Sequence, residues 1–195
     1  MEADWEVEMG GEAPIIDALW PGLVDLRRHP ERIAEVAEAA AFEPLAVLLQ
    51  RLNGPGSPLW TAKCDLWEPE PGEVSGPVAA RVGGTHTVLA SYIDLLPRRG
   101  QAFAEWREAA RFCQEWVARL TPVPLASCRA ELIVRQAIAG EADGFGVTAY
   151  ISAEGTDRQA AAHALGAALA AFVFAIPPAV APEEPIQSYN ETVGE

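Results

Sequence analysis

Alternating apolar and polar residues mark several segments of the chain as half-buried β-strands. Residues 59–67 are the clearest case, because one face there is formed by Trp60, Ala62, Cys64 and Leu66 and the other by Thr61, Lys63, Asp65 and Trp67. The same two-residue period runs through residues 4–9, 85–96, 128–136 and 146–153. Each predicted strand therefore has one apolar face for a core and a second face of polar and aromatic side chains.

Two long helices are predicted, each directly after a pair of these strands. Apolar residues at steps of three and four predict a helix over 101–120. A second helix begins at the capping-box sequence 156–159 and ends before Pro177. Its outer faces are mostly alanine.

The N-terminal part of the chain is predicted to contain two shorter helices. Proline suits the first turn of a helix, so Pro30 and Pro44 favour helices over 30–41 and 44–53. Residues 13–28 are less regular, and a short strand is predicted at 23–26.

The chain contains an internal repeat. Residues 57–120 and 123–176 both follow the order strand, strand, helix, and short sequences correspond between them: Asp65-Leu66 with Glu131-Leu132, and Tyr92-Ile93 with Tyr150-Ile151. This order predicts an α+β fold, with an antiparallel sheet and its helices on one face, in which a duplicated ββα unit forms a permuted ferredoxin-like arrangement. The strands of Tyr92 and Tyr150 would be central neighbours.

The rest of the chain is assigned around this repeat. Residues 1–56 form an N-terminal extension of one strand and helices, and an alternative is a larger mixed sheet with that strand at its end. The whole of 1–178 is predicted to be one domain, as its size allows. Segment 68–84 is a long loop rich in proline, glycine and glutamate, typical of a lid or flap. The acidic, proline-rich residues 179–195 are predicted to be a mobile tail.

Charge and cysteine content narrow the function classes. A net charge of −14, with scattered basic residues, argues against binding to nucleic acid or an anionic membrane. The three cysteines, Cys64, Cys113 and Cys128, lack metal-site spacing and fall on predicted core faces, where their pKa would be raised. No metal and no cofactor is therefore predicted. Residues 160–176 fall short of the ~20 apolar residues of a membrane span, and a cytoplasmic location is expected.

The polar face of the predicted sheet contains the candidate site. Its ligand-binding candidates are Trp67, His86, Tyr92, Asp94, Arg129, Arg135 and Tyr150, with Lys63, Asp65, Glu131 and Ser152 beside them. Aromatic rings among convergent polar groups are typical of pockets and interfaces. The simpler interpretation is a solvated face, on which opposite charges of neighbouring strands contribute ~0.2–1 kcal/mol per pair.

Motifs do not identify a reaction. The sequence lacks HExxH, GxSxG, a Walker loop and GxGxxG. His86 and Asp94 would lie ~27 Å apart along one strand, too far for a hydrogen bond. The chain is therefore interpreted as a non-enzymatic binding or assembly module, with a protein or small-molecule ligand or a second copy as partner.

The homodimer would use the alanine face of the last helix, at Ala160, Ala164, Ala167 and Ala171. Two alternatives stay open at this point. One is an enzyme that acts on a small molecule in a pocket between the open sheet face and the 68–84 loop, through Tyr92, Asp94, His86 and Arg135. The other is an accessory protein that binds one macromolecule through its acidic surface.

Overall fold

The alternating segments form one open sheet. A computed structural model describes residues 1–70, 86–99 and 101–177 of the chain. Its strands are β1 (Glu2–Val7), β2 (Ile16–Asp17), β3 (Leu59–Trp67), β4 (Thr87–Pro97), β5 (Cys128–Ala139) and β6 (Ala142–Gly155). The order across the sheet is β1-β5-β6-β4-β3, and β2 also pairs with β5. Strands β3 to β6 pair antiparallel, whereas β1 and β2 run parallel to β5, so the sheet is mixed and mostly antiparallel.

Most helices begin and end near the predicted residues, but the helix predicted over 101–120 begins only at Trp106. They are a 3₁₀ helix (Pro30–Glu35), α1 (Ala37–Ala41), α2 (Glu43–Asn53), α3 (Trp106–Leu120) and α4 (Arg158–Phe174). The single helix predicted over 30–41 is wrong, because Val36 adopts an extended conformation and divides it. At the start of α4 the cap is Asp157 rather than Thr156, and its carboxylate accepts a hydrogen bond of 2.8 Å from the Ala160 N–H.

The predicted orientation of the central strands is confirmed. Ile93 and Ile151 are fully buried in the main core, together with Trp116 of α3 and Phe172 of α4. Tyr92 and Tyr150 point to the other side of the sheet and are partly exposed. The face of the sheet that carries these tyrosines is called the open face below.

A β-bulge changes the expected orientation of β3. The pairing with β4 shifts register between Thr61 and Cys64. An extra residue exchanges the faces of a strand, so Trp60 and Ala62 lie on the open face, although the alternation placed them with Cys64. They form a second, smaller cluster with Ile16, Ala18, Leu96, Ala137 and Ala139, called the small core below.

The N-terminal extension covers the small core. Ile16 and Ala18 pack into it, and the Trp20 indole N–H donates a hydrogen bond of 2.9 Å to the Ala62 carbonyl. The strand predicted at 23–26 is wrong, because these residues form turns and irregular chain.

Most of the 68–84 loop and the whole of the 179–195 tail lie outside the described residues. None of the described helices is both long enough and apolar enough to cross a membrane.

Candidate functional site

The open face is organised in rows that cross the strands. Strand register places one row from the β1 edge to the β3 edge: Asp4, Glu131, Tyr150, Tyr92 and Asp65. The two tyrosines pair directly at the centre of the sheet, where β4 and β6 meet. The row therefore has an aromatic centre with carboxylates on both sides.

Trp67, Tyr92 and Tyr150 form a cluster that we call the aromatic triad. The Trp67 ring centre lies 6.2 Å from that of Tyr92 and 6.4 Å from that of Tyr150, and the tyrosine rings are 5.9 Å apart. These spacings are typical of edge-on and tilted aromatic pairs. All three side chains are partly exposed, so the triad presents a fixed aromatic surface.

The Tyr92 hydroxyl remains protonated over the physiological range. Burial raises its pKa to about 12, and the nearby carboxylates of Asp94 and Asp65 act in the same direction. A neutral phenol can donate and accept hydrogen bonds. It is poorly suited to act as a base near neutral pH.

The two predicted arginines join β1 to the sheet. Arg129 donates hydrogen bonds to Glu2 at 2.6 Å and to Asp4 at 2.8 Å. Arg135 donates to Glu8 at 2.7 Å. Both arginines are therefore already paired with carboxylates.

Arg135 also connects β1 to the aromatic triad, because it donates a hydrogen bond of 3.3 Å to the Tyr150 hydroxyl. Burial would lower the pKa of Arg135, but its hydrogen bonds to Tyr150 and Glu8 raise it. The guanidinium also lies over the Tyr150 ring, 5.6 Å from its centre. Glu2 and Glu8 could not be assigned to a site from the sequence, because the pattern of β1 gives its faces but not the strand beside it.

Asp94 is the most buried carboxylate of the candidate set. It is 8% exposed, and it accepts a hydrogen bond of 2.7 Å from the Thr148 hydroxyl. Burial raises its pKa, although the Thr148 hydrogen bond and the charges of Arg135 and Lys63 act in the opposite direction. The charged form of Asp94 is thus disfavoured in the folded chain.

Substituting Asp94 with asparagine should change how stability depends on pH. Because the folded pKa lies above the unfolded value, the folded state binds more protons between those two pKa values. Wild-type stability should therefore lose a contribution as pH rises from about 4, near the unfolded pKa, through the folded pKa. The free energy of unfolding of Asp94→Asn, minus that of the wild type, should increase with pH over this range in urea titrations.

Glu12→Gln is the matched control for this titration, since it removes a negative charge from an exposed turn. A difference between Asp94→Asn and the wild type that stays constant with pH, or that follows the Glu12→Gln curve, would contradict the assignment of a raised pKa to Asp94.

His86 lies away from the triad and has a different partner. Its Nδ1 is 3.2 Å from a carboxylate oxygen of Glu154, whose side chain is 5% exposed. The other carboxylate oxygen of Glu154 is buried and has no hydrogen-bond partner among the described residues. Glu154 lies just beyond the strand predicted at 146–153, so sequence analysis did not include it.

The structure brings Trp67, Tyr92, Tyr150, Asp94 and Arg135 together and leaves His86 and Arg129 at the margins. Each cysteine thiol has a pKa raised by burial, to about 12 for Cys64 and Cys113, as predicted. Among the described residues, no three His, Cys, Asp or Glu side chains are grouped as metal ligands would be. The face is thus equipped to bind through aromatic contact and charge.

Comparisons of the chain with protein-family models, with curated proteins and with solved structures give no match, so the function must be argued from the geometry of this face.

Proposed function

We propose that this protein is a non-enzymatic binding module whose open face takes a positively charged, partly apolar segment of a partner protein. The observation that carries the proposal is the aromatic triad, which lies partly exposed at the centre of a sheet face with acidic margins.

The rings suit a protein partner. Tryptophan and tyrosine are enriched among the residues that dominate binding energy at interfaces. Ring-on-ring packing holds Trp67, Tyr92 and Tyr150 in place, so binding orders few additional side chains. The triad therefore offers a preorganised anchor.

The charge around the rings favours a basic partner. Glu2 and Asp4 neutralise Arg129, and Glu8 neutralises Arg135. Glu6 and Asp65 are exposed, and no cation in the described part of the chain forms an ion pair with either. Lysine or arginine side chains could pair with these carboxylates and approach the faces of the rings.

The pairing of the polar groups favours binding over catalysis. Asp94 is bonded to Thr148, Arg135 to Glu8, and His86 lies beside Glu154. A catalytic group must be within reach of a reacting atom, and these groups point at one another. The alternative of an enzyme pocket under the 68–84 loop remains a prediction, because most of that loop lies outside the described residues.

We also infer that the open face arose by duplication of a ββα unit in a permuted ferredoxin-like order. The register supports this, because Tyr92 pairs with Tyr150 while Asp65 and Glu131 flank them on opposite sides. These are the positions that correspond in the sequence repeat. A duplicated face would give the partner two similar half-sites about the central tyrosine pair.

Trp67→Ala should weaken binding of basic peptides to the open face. The probe is an array of twelve-residue peptides rich in lysine and leucine, with glutamate replacing lysine in the control set. The wild type should retain the basic set, and Trp67→Ala should raise the Kd at least about tenfold, as loss of an interface anchor does. Fluorescence anisotropy with the best peptide measures the change.

Trp106→Ala is the matched control, since Trp106 is also a partly exposed tryptophan but belongs to α3, on the other side of the sheet. It should leave the peptide Kd unchanged. Equal binding of basic and acidic peptides, or an unchanged Kd in Trp67→Ala, would refute the proposal.

A homodimer remains a prediction as well, and sedimentation of the free chain tests it in the same series. The four alanines proposed for this contact are partly buried within the chain itself. A dimer that dissociates in Trp67→Ala would assign the open face to a second copy instead of a basic partner.

A further inference from the structure

A second concave site lies at the end of the sheet beside the small core, away from the triad. It is a cavity of about 390 Å³ lined by Ala18, Leu19, Arg27, Arg28, Trp60, Arg98, Gln101 and Ala139. We call it the arginine cleft, because three guanidinium-bearing residues converge there in a chain whose net charge is −14. Such convergence is unexpected in an acidic protein and needs a physical reason.

Two of the arginines are fixed by bonds to the protein. Arg27 donates to both carboxylate oxygens of Asp25, at 2.8 and 2.9 Å, and its guanidinium stacks 3.6 Å from the Trp60 ring centre. Arg98 donates to the carbonyls of Asn53, Gly54 and Ser57 at 2.6 to 3.0 Å. Within the described residues these bonds use Nε and Nη2 of each arginine and leave Nη1 without a partner.

The third arginine is free to move. The Arg28 side chain is 80% exposed, and its closest carboxylate, that of Asp25, is 3.7 Å away and already bonded to Arg27. In the described part of the chain, Asp25 is thus the one carboxylate paired with the arginines of the cleft. Burial lowers the pKa of Arg98, and the charge of Arg27 lowers it further, which indicates repulsion that Asp25 offsets only in part.

Trp60 supplies an independent observation. This residue lines the cleft and is 2% exposed, and its indole N–H is buried without an acceptor in the described part of the chain. A buried donor without a partner costs about 1–3 kcal/mol and often indicates an ion or water that completes the site. Gln101, also at the cleft, has a backbone φ of +67°, an uncommon conformation for a residue other than glycine.

We infer that the arginine cleft binds a phosphoryl group, either as free inorganic phosphate or as the terminal group of a small phosphomonoester. The planar guanidinium matches the oxygens of a phosphoryl group and can donate two parallel hydrogen bonds to it. Arg27 and Arg98 would hold the group in place, and Arg28 would close over it. This inference does not depend on the proposed function of the open face.

Calorimetric titration of the full chain with sodium phosphate, and separately with glycerol phosphate, tests the inference against sodium chloride at equal ionic strength. Saturable binding of one ligand per chain is expected from phosphate or from glycerol phosphate, and not from chloride. Arg28→Gln should weaken it about tenfold, since a charge-assisted hydrogen bond is lost. Among the described residues the Arg28 side chain is paired only with Asp25, at 3.7 Å, so this variant should fold.

Arg32→Gln is the matched control, because Arg32 is an exposed arginine of the 3₁₀ helix that is bonded to Glu35 and does not line the cleft. It should bind phosphate as the wild type does. A readout at the site is the indole N–H resonance of Trp60 in a ¹⁵N-labelled sample, assigned by its absence in Trp60→Phe. That resonance should shift as the ligand saturates.

The relative affinities of the cleft for the two ligands identify the source of the phosphoryl group. Tighter glycerol phosphate binding would support a phosphomonoester, and tighter inorganic phosphate binding would support the free anion. Heats that match the chloride control, equal affinity in Arg28→Gln, or an unmoved Trp60 resonance would each overturn the inference. The open-face variant Trp67→Ala should not affect this titration, so the two proposals fail separately.

Discussion

Replacing Trp116 with alanine is expected to lower the free energy of unfolding by about 3–5 kcal/mol, the range for removing a large buried aromatic side chain. Trp116 is completely buried and packs against the Phe172 ring, with ring centres 4.2 Å apart. Its indole N–H also donates a hydrogen bond of 3.0 Å to the Phe172 carbonyl. The side chain thus joins α3 to α4 in the main core.

Urea denaturation of three variants separates the contributions. Trp116→Phe keeps most of the packing and loses the hydrogen bond, so we expect a loss of roughly 1–3 kcal/mol from bond and volume together. Trp106→Ala, at a partly exposed position in the same helix, should lower the free energy of unfolding by less than either Trp116 variant does. If Trp116→Ala cost no more than Trp106→Ala, the described α3–α4 contact would be wrong.

Gly155→Ala is expected to lower the free energy of unfolding by about 3 kcal/mol, the upper part of the range for overpacking. Gly155 ends β6 directly beneath the first turn of α4. A Cβ atom there would lie 2.2 Å from the Ala161 nitrogen and 2.6 Å from the Ala160 carbonyl carbon. Both are backbone atoms of α4, so the helix itself would have to move, whereas a side chain could rotate away.

Gly56→Ala controls for the general effect of replacing glycine. A Cβ at Gly56 would meet no atom within 4 Å apart from those of its chain neighbours, so the midpoint of this variant in thermal or urea unfolding should stay near that of the wild type. Gly155→Ala should instead shift the midpoint downward by several degrees. A midpoint for Gly155→Ala equal to that of Gly56→Ala would show that β6 and α4 do not approach as closely as described.

The orientation of the central strands could be predicted from local pattern alone. A two-residue period fixes which side chains share a face, so Ile93 and Ile151 were assigned to the core and Tyr92 and Tyr150 to the open face. The pairing of the two tyrosine strands followed from the order of the elements. The assignment of faces succeeds because alternation is a local property of the chain.

The β-bulge of β3 was not predictable in the same way. The alternation of the sequence continues through Thr61 and Cys64, so it gives no sign of the extra residue between them. Trp60 is buried on the open face, where Ile16 and Ala18 form part of its cover. That cover comes from residues more than forty positions away in the chain, which no local pattern specifies.

The amino-acid sequence by itself determined the α+β class, the two faces of the central strands and the polar and aromatic composition of the open face. The tertiary structure alone decided the contacts within that face. It placed β1 beside β5, paired Arg129 and Arg135 with carboxylates of the N-terminal segment, and packed Trp67 on both tyrosines. It also brought Arg27 and Arg98 into one cleft. The physical reason is that the direction of a side chain on a strand depends on its position relative to adjacent residues in the sequence. Ion pairs and clefts depend instead on which distant segments of the chain meet in space.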